Sequence, residues 1–370
     1  MAQGARTTSP TPSLALLQRL TLGLTLLLLG TGFVVQLSLR LALESSPADQ
    51  ILSRLGLLYL AGVMVLLGVA LLPLPRRLVV PLTWLVYLVA LVLSGLVFSP
   101  LGRTVHGASR WVVLGGISFQ PSELLRPAAA LLTIPLALTH RRQPRALAIL
   151  CLLLAVAIIG VEPDLAGATL TLAFGSLGLV LGGVRLWRVA LIWLVLGTVG
   201  VGLVFALPGR FGHARERIEA WFHREELATG AGYQTTAARR AIQAGGLTGR
   251  GFTLEVEPVR RIPFVENDFI AAYIGYTFGS LGILAVALLY GLLAVLAVFL
   301  YQLHPDPVVG SMGAMAGWLV AGQAAVNLMT TLGVLPPTGI TLPFISAGGT
   351  SLLVSAALLG AMARFATLTR

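Results

Sequence analysis

A polytopic, all-α bundle of membrane-spanning helices is dictated by three features of this 370-residue chain. Its residues are 56% hydrophobic, only 11% are charged, and long apolar runs recur from end to end. Soluble domains carry about 25% charged residues, whereas runs of about 20 apolar residues reach across a hydrocarbon core as helices. An open sheet is excluded, because its edge N–H and C=O groups would have no partners in lipid.

Ten spans are expected, at Leu20–Leu39, Leu55–Leu74, Leu78–Val97, Leu124–Leu138, Ala146–Gly160, Leu165–Leu181, Val189–Leu207, Phe269–Leu289, Gly310–Thr331 and Ser346–Phe365. The fourth to sixth are short for spans. The eighth sits in continuous apolar sequence from Ile274 to Leu303, so its limits are the softest. The first outruns a signal-peptide core and has no small-residue cleavage site after it, which predicts that it is retained. Residues 1–19 read as a polar, Pro/Ser-rich cytoplasmic tail, and residues 20–370 as one membrane domain.

The chain has no lysine, and its arginines give a net charge of +11. They are dispersed among loops, which excludes a nucleic-acid-binding face and fits orientation instead. With the N-terminus inside, the short inner segments hold Arg6, Arg19, Arg76, Arg77, Arg141, Arg142, Arg145, Arg185, Arg188, Arg364 and Arg370. The short outer loops hold only Arg40, Arg54, Arg103 and Arg110. Positive-inside counting places both termini in the cytoplasm. The single cysteine, Cys151, excludes an intrachain disulfide and reads as a small packing residue.

Polar residues concentrate at Gly102–Glu123, Pro208–Asp268 and Gly333–Ser346, all predicted to lie outside. The second, between the seventh and eighth spans, is roughly ten times the usual connection, and such loops tend to be functional. Within it, "RFGHARERIEAWFHREE" reads as an amphipathic helix with Ile218, Trp221 and Phe222 on its apolar side, lying on the membrane or packed on the bundle. "AGGLTGRGF", with Arg239, Arg240 and Arg250 nearby, has the glycines and arginines that approach phosphate. It is not a P-loop, which needs a lysine. "LPPTGITLPFISAGGTS" cannot be helical throughout and predicts a re-entrant or cavity-lining loop.

Charged groups at membrane depth are functional candidates. Glu123 and Arg126, three residues apart, share a helix face and can neutralise each other. Glu162 and Asp164 flank Pro163 at a helix junction, where paired carboxylates suit acid–base work and a capping role suits the helix dipole. Asp268 leads directly from the long loop into an apolar run.

Five segments, "GASRWVVLGGISFQPSELLR", "EPDLAGA", "GYQTTAARRAIQAGGLTGRGF", "ENDFIAAYIGYTFGSLG" and "PPTGITLPFISAGGTSL", occur in an order and spacing that resemble the SEDS (shape, elongation, division and sporulation) family, which includes FtsW, RodA and SpoVE. The resemblance runs from about Leu20 to the C-terminus, and Thr341 with Gly232–Gln234 leans towards the FtsW branch. It implies a ten-helix peptidoglycan glycosyltransferase of the bacterial cytoplasmic membrane that polymerises lipid II on the outer face, for cell division or cell shape. Its implied partners are a class B penicillin-binding protein (transpeptidase), undecaprenyl-pyrophosphate-linked glycan and membrane lipids.

That chemistry needs a base for the attacking sugar hydroxyl and cations for the departing pyrophosphate. Asp268 matches the family's essential aspartate in "H-[TN]-D-F-I" and is expected to be the base. Arg110, Arg126, Arg239, Arg240 and Arg250 are candidates for the pyrophosphate. Trp111 matches the tryptophan of "G-A-x-R-W", Glu123 the acid of "Q-P-S-E", and Ser346, Gly348 and Gly349 the substrate-lining "S-x-G-G". No cofactor is called for, and a divalent metal at the pyrophosphate is an open alternative.

The chain departs from the family where Phe264 replaces a glutamate and Glu266 a histidine of "L-P-E-x-H-x-D-F-I". Tyr276, Thr277 and Phe278 stand where "G-E-E-L-G" carries its carboxylates, Arg126 stands where lysine is common, and Ala347 replaces a tyrosine. Glu266 is expected to raise the titration of Asp268 and nearby arginines to lower it. Two other readings follow: a flippase for the lipid-linked precursor, and a catalytically weakened paralogue serving as a division scaffold.

Overall fold

A computed structural model of the chain describes residues 11–44, 46–105, 108–114, 117–139, 142–222, 231–254 and 256–368. Apolar runs become helices in chain order: α1 (Pro12–Leu43), α2 (Ala48–Leu71), α3 (Val79–Leu96), α4 (Ser122–Leu138), α5 (Arg142–Val161), α6 (Leu165–Leu181) and α7 (Leu186–Ala206). The long loop contributes α8 (Pro208–Phe222), α9 (Ala231–Gly245) and the single turn α10 (Glu257–Arg260). Then follow α11 (Ile270–Leu303), α12 (Pro307–Thr331) and α13 (Gly349–Ala366). All ten expected segments fall on helices. Among the described residues, eight helices are long and apolar enough to cross a membrane, and α6 is a shorter apolar helix. At 17 residues, with Pro127 and Pro135 inside it, α4 is shorter than a full span.

The N-terminal tail and the segment before α4 differ from expectation, and α11 runs on to Leu303, past the expected end of the eighth span at Leu289. Helix α1 starts at Pro12, so residues 12–19 of the expected tail are helical; proline at the first helical position costs no hydrogen bond. Residues 1–10 lie outside the described set, as do residues 223–226, the end of the expected amphipathic helix. The segment before α4 is a small antiparallel sheet of β1 (Gly102–Val105), β2 (Ala108–Leu114) and β3 (Ile117–Phe119), which the hydropathy pattern did not announce.

Helices α4, α12 and α13 are the most enclosed by protein, and α7 presents most of its surface outward. Small residues permit the close packing that substitutes for hydrophobic pressure in lipid. A Cβ on Gly317 would come within 2.7 Å of the Met362 sulfur, and one on Gly178 within 2.1 Å of the Thr133 hydroxyl. Cys151 is buried beside Tyr87, whose hydroxyl donates to the Cys151 carbonyl at 2.8 Å.

Two ends of the bundle are defined by their polar contacts. At one end Arg76 pairs with Asp306 and Arg364 donates to the Leu74 carbonyl. At the other end the sheet, the α5–α6 junction, α8–α10 and the α12–α13 loop gather; this is the site end.

Helix α11 is broken near its start. Gly279 has φ 69° and ψ −171°, a conformation essentially reserved for glycine. The break frees carbonyls, and the glycine-rich loop 245–251 supplies the partners: Arg250 N donates to Tyr276 O and Gly251 N to Thr277 O, both at 2.9 Å. In return Ser280 N and Leu281 N donate to the carbonyls of Gly246 and Leu247. The backbones meet so closely that a Cβ on Gly249 would sit 2.1 Å from Thr277 O. Phosphate cradling by these glycines is not what the backbone shows: the Gly246 and Gly249 amides donate to carbonyls of α9 and the Gly251 amide to α11, so all three are bonded within the protein.

Gly249 and Gly246 both have positive φ, but nothing lies within 4 Å of a Cβ built on Gly246. Gly246→Ala is expected to cost about 1–2 kcal/mol, the left-handed backbone penalty alone. Gly249→Ala is expected to cost more, because the Thr277 carbonyl must also move. Thermal unfolding of the two purified variants checks the order.

Candidate functional site

The α12–α13 connection runs through the protein interior: Ile340, Leu342, Phe344 and Ile345 are buried. Irregular backbone in such a place must find donors for its carbonyls, and side chains from five helices provide them. Arg217 (α8) donates to Thr338 O at 3.2 Å, Asn327 (α12) to Ile340 O at 2.7 Å, and Gln323 (α12) to Thr341 O at 3.2 Å. Tyr290 (α11) donates to Pro343 O, Tyr59 (α2) to Phe344 O at 2.7 Å, and Gln36 (α1) to Ile345 O at 2.7 Å. Close approach is needed as well, since a Cβ on Gly32 of α1 would meet Phe344 O at 2.0 Å.

The same loop and helices hold the segment that carries Asp268. The Glu266 carbonyl accepts from Gln36 Nε2 at 3.0 Å and from Ala347 N at 2.9 Å. Ser346 Oγ donates to Asn267 O at 2.6 Å, and Asn327 Nδ2 to Asp268 O at 3.0 Å. Three successive carbonyls are thus tied to α1, α12 and the interior loop, which fixes the backbone from which the Asp268 side chain projects.

The Asp268 carboxylate lies against Gly339, whose added Cβ would be 3.7 Å from Asp268 Oδ2 and 3.5 Å from Arg217 Nη1. At φ 74° this glycine keeps the space between carboxylate and guanidinium open. Burial pushes the Asp268 carboxyl up to about 6; Arg217 and, more weakly, Arg110 pull it down, while Glu266 pushes it up. Even so, it is mostly ionised at pH 7. Burial lowers the pKa of Arg217, and the Asp268 carboxylate opposes that shift.

Arg110, on β2, bonds the α5–α6 junction: its Nε donates to Glu162 O at 3.1 Å, Nη2 donates to Pro163 O, and Nη1 lies 3.7 Å from Asp164 Oδ1. Asp164 caps α6 by accepting from Gly167 N at 3.0 Å, so the capping reading is the one realised. Glu162 is fully buried next to Ser94 and Ser122; burial and the Asp164 carboxylate push its carboxyl up to about 8, so it is neutral at pH 7. The two acids do not act as an equivalent pair. Trp111 is half-buried on β2 and pairs across the sheet with Arg103.

Glu123 and Arg126 form a buried ion pair at 3.2 Å. Arg126 Nη1 reaches Gln323 Oε1 at 3.5 Å, and Gln323 Nε2 donates to the hydroxyls of Thr341 and Ser351, both at 3.1 Å. Glu123, Arg126 and Gln323 line a small cavity together with Leu170, Phe174 and Leu319, and through Gln323 the chain supports the interior loop. Ser346 is likewise buried and its hydroxyl is spent on Asn267, which makes it a positioning residue. Gly348 and Gly349 begin α13; a Cβ on Gly348 would crowd Thr341 at 3.2 Å.

Arg239 and Arg240 are exposed on α9, and Arg250 is exposed in the loop after it, its Nε donating to Ala244 O at 2.8 Å. The charges acting on Asp268 are those of Arg217, Glu266 and Arg110. Arg217 was not among the candidates read from sequence. It lies on the amphipathic helix, one turn from Trp221, whose indole N–H donates to Gly333 O at 3.3 Å, so the inward face of α8 carries both residues while Ile218 and Phe222 point outward. Among the described residues no group of three or more His, Cys, Asp or Glu side chains is arranged to hold a metal ion.

The family model of the FtsW, RodA and SpoVE cell cycle proteins matches residues 18–370. A probable peptidoglycan glycosyltransferase FtsW from Thioalkalivibrio sp. (strain K90mix) is 31% identical over 294 residues, covering 76% of this chain and 72% of the relative. Among solved structures, a chain of a peptidoglycan synthase complex that coordinates polymerization and crosslinking superposes with a TM-score of 0.73 at 25% identity, over 94% of this chain and 96% of that one. A variant of the rod shape determining protein RodA from Thermus thermophilus gives 0.65 at 26% identity, over 92% and 94%.

Removing the facing cation should raise the titration of Asp268 further, and removing the like charge should lower it. Arg217→Gln is expected to move the Asp268 carboxyl above about 6, and Glu266→Gln to move it below. Infrared difference spectra across pH, with Asp268→Asn to assign the carboxyl band, read both shifts.

Proposed function

Because the chain belongs to the FtsW/RodA/SpoVE family of cell cycle proteins, we propose that it is a multi-pass membrane peptidoglycan glycosyltransferase that polymerises lipid II with Asp268 as general base. The observation that carries this reading is the Asp268 carboxylate, held by its backbone at the site end, titrating near neutrality and facing the Arg217 guanidinium.

Asp268 takes the proton of the acceptor sugar's hydroxyl as that oxygen bonds to the anomeric carbon of the lipid-linked glycan. The bond from that carbon to the pyrophosphate oxygen breaks, and undecaprenyl pyrophosphate departs with the bonding electrons. Its growing negative charge is met by Arg217, with Arg110 behind it. A raised carboxyl suits the base, because proton transfer is most efficient when the pKa approaches the working pH. Arg126 and Glu123 serve the site indirectly through Gln323 and the interior loop, and Trp111, on the strand that carries Arg110, offers a flat apolar face for a sugar ring.

In the membrane, ten helices cross, both termini are cytoplasmic and the site end is extracytoplasmic. The arginines Arg76, Arg77, Arg185, Arg188 and Arg364 near the opposite end support that orientation. The solved synthase complex, which coordinates polymerization with crosslinking, supports a crosslinking partner, the role a penicillin-binding transpeptidase would fill. The FtsW relative favours division.

The test is extension of labelled lipid II by the purified chain with its cognate transpeptidase. Asp268→Asn is expected to lower the rate about 100- to 10,000-fold, the usual contribution of a general base. In the unsubstituted protein the rate should fall as pH drops through about 6, where the carboxylate is protonated. Undiminished extension by Asp268→Asn removes Asp268 from the mechanism. Growth supported by Asp268→Ala cells favours a scaffold, which needs no base.

A further inference from the structure

Helix α11 is longer than a bilayer requires. Its 34 residues measure about 50 Å at 1.5 Å per residue, against a hydrocarbon core of about 30 Å. The burial pattern divides it. Residues 270–279 are enclosed by protein on nearly every side, while from Leu281 onward one face is exposed through Leu281, Leu284, Leu288 and Leu292. The division falls at the Gly279 break, and residues 281–303 alone suffice to cross the core. Lipid contact on α11 therefore begins where loop 245–251 is bonded to it.

That loop and its continuation carry three large apolar side chains with no cover: Leu247 is 72% exposed, Phe252 61% and Leu254 73%. Phe252 stands edge-on to Phe278 of α11, with ring centroids 5.3 Å apart, which joins the patch to the lipid-facing stripe. The exposed guanidinium groups of Arg239, Arg240 and Arg250 lie on α9 and in this same loop. Apolar side chains that continue a lipid-facing stripe at its upper edge, beside arginines, have the composition of an interfacial element.

We infer that the 245–254 segment is a membrane-anchoring finger, with Leu247, Phe252 and Leu254 inserted among the acyl chains at the bilayer surface and Arg239, Arg240 and Arg250 on the phosphates of anionic phospholipid. The finger is bonded through four backbone hydrogen bonds to the break in α11 at Gly279, eleven residues from Asp268. It sets the height of the site above the lipid surface. This inference does not rest on the reaction proposed above.

The test uses the full chain in nanodiscs of phosphatidylglycerol and phosphatidylcholine, in a Cys151→Ala background. Single cysteines at Phe252, Leu254 and, as control, exposed Glu257 carry an environment-sensitive fluorophore. At 252 and 254 the expected result is quenching by lipids with a nitroxide near the headgroup and loss of quenching by aqueous iodide; Glu257→Cys should show the reverse. Iodide access at 252 and 254 equal to that at 257 overturns the insertion, and shielding from both quenchers overturns it in favour of a protein cover. In a second arm, each of Arg239→Gln, Arg240→Gln and Arg250→Gln should weaken retention of phosphatidylglycerol over phosphatidylcholine by about fivefold, the worth of one basic residue at an anionic surface. Retention unchanged in all three overturns the headgroup contact, and the circular dichroism melt of each variant separates loss of binding from loss of fold.

Discussion

Backbone that is neither helix nor strand has to be bonded when it is buried in a membrane protein, and the segment from Thr338 to Ser346 imposes that demand on the whole bundle. Polar side chains within apolar helices, Gln36, Tyr59, Tyr290, Gln323 and Asn327, are each accounted for by one of its carbonyls. An unmet buried carbonyl costs about 1–3 kcal/mol, so five such bonds make the loop's path a strong determinant of how α1, α2, α11 and α12 assemble. Gly32 has no side chain for the same reason: the loop passes through the space a Cβ would occupy.

The site inherits its geometry from this arrangement. Gln36 and Asn327 each serve two carbonyls, one on the interior loop and one on residues 266–268. Loop and aspartate are therefore positioned by the same donors. On the other side, α11 is broken at Gly279 and repaired by the glycine-rich loop, so the part of α11 that follows Asp268 is also held by long-loop backbone. A carboxylate between two such fixtures can remain partly desolvated without drifting to water, and partial desolvation is what raises its titration.

Hydropathy made the helices legible, because their apolar runs follow from the bilayer's thickness alone, and the proline and glycine content of 335–351 announced irregular backbone. Asp268 was legible as a carboxylate at the margin of an apolar run. Arg217 was not: it sits among Arg215, Glu216 and Glu219 on a helix whose charged residues look alike in sequence. What distinguishes it is a bond to Thr338, 121 residues away. The glycines of 245–251 suggest phosphate contact in the sequence because sequence shows where backbone can approach closely and not what it approaches, which here is α9 and α11. The strands of 102–119 are short and lie outside the apolar runs, so period and length said little about them.

The departures around Asp268 have a common physical character. Glu266 stands where the family has histidine, yet what Gln36 and Ala347 bond at that position is the backbone carbonyl, which any residue supplies. Tyr276 and Thr277 stand where carboxylates are usual, and there too the bonded groups are the carbonyls, accepting from Arg250 N and Gly251 N. Gly275 and Gly279, which the family pattern retains, are the two positions in that stretch where a side chain would strike neighbouring atoms. At Glu266, Tyr276 and Thr277 the bonds to the frame are therefore made by backbone carbonyls that do not depend on the side chain. Glu266 adds a negative neighbour that Arg217 offsets, while burial, the larger effect, pushes the Asp268 carboxyl up to about 6.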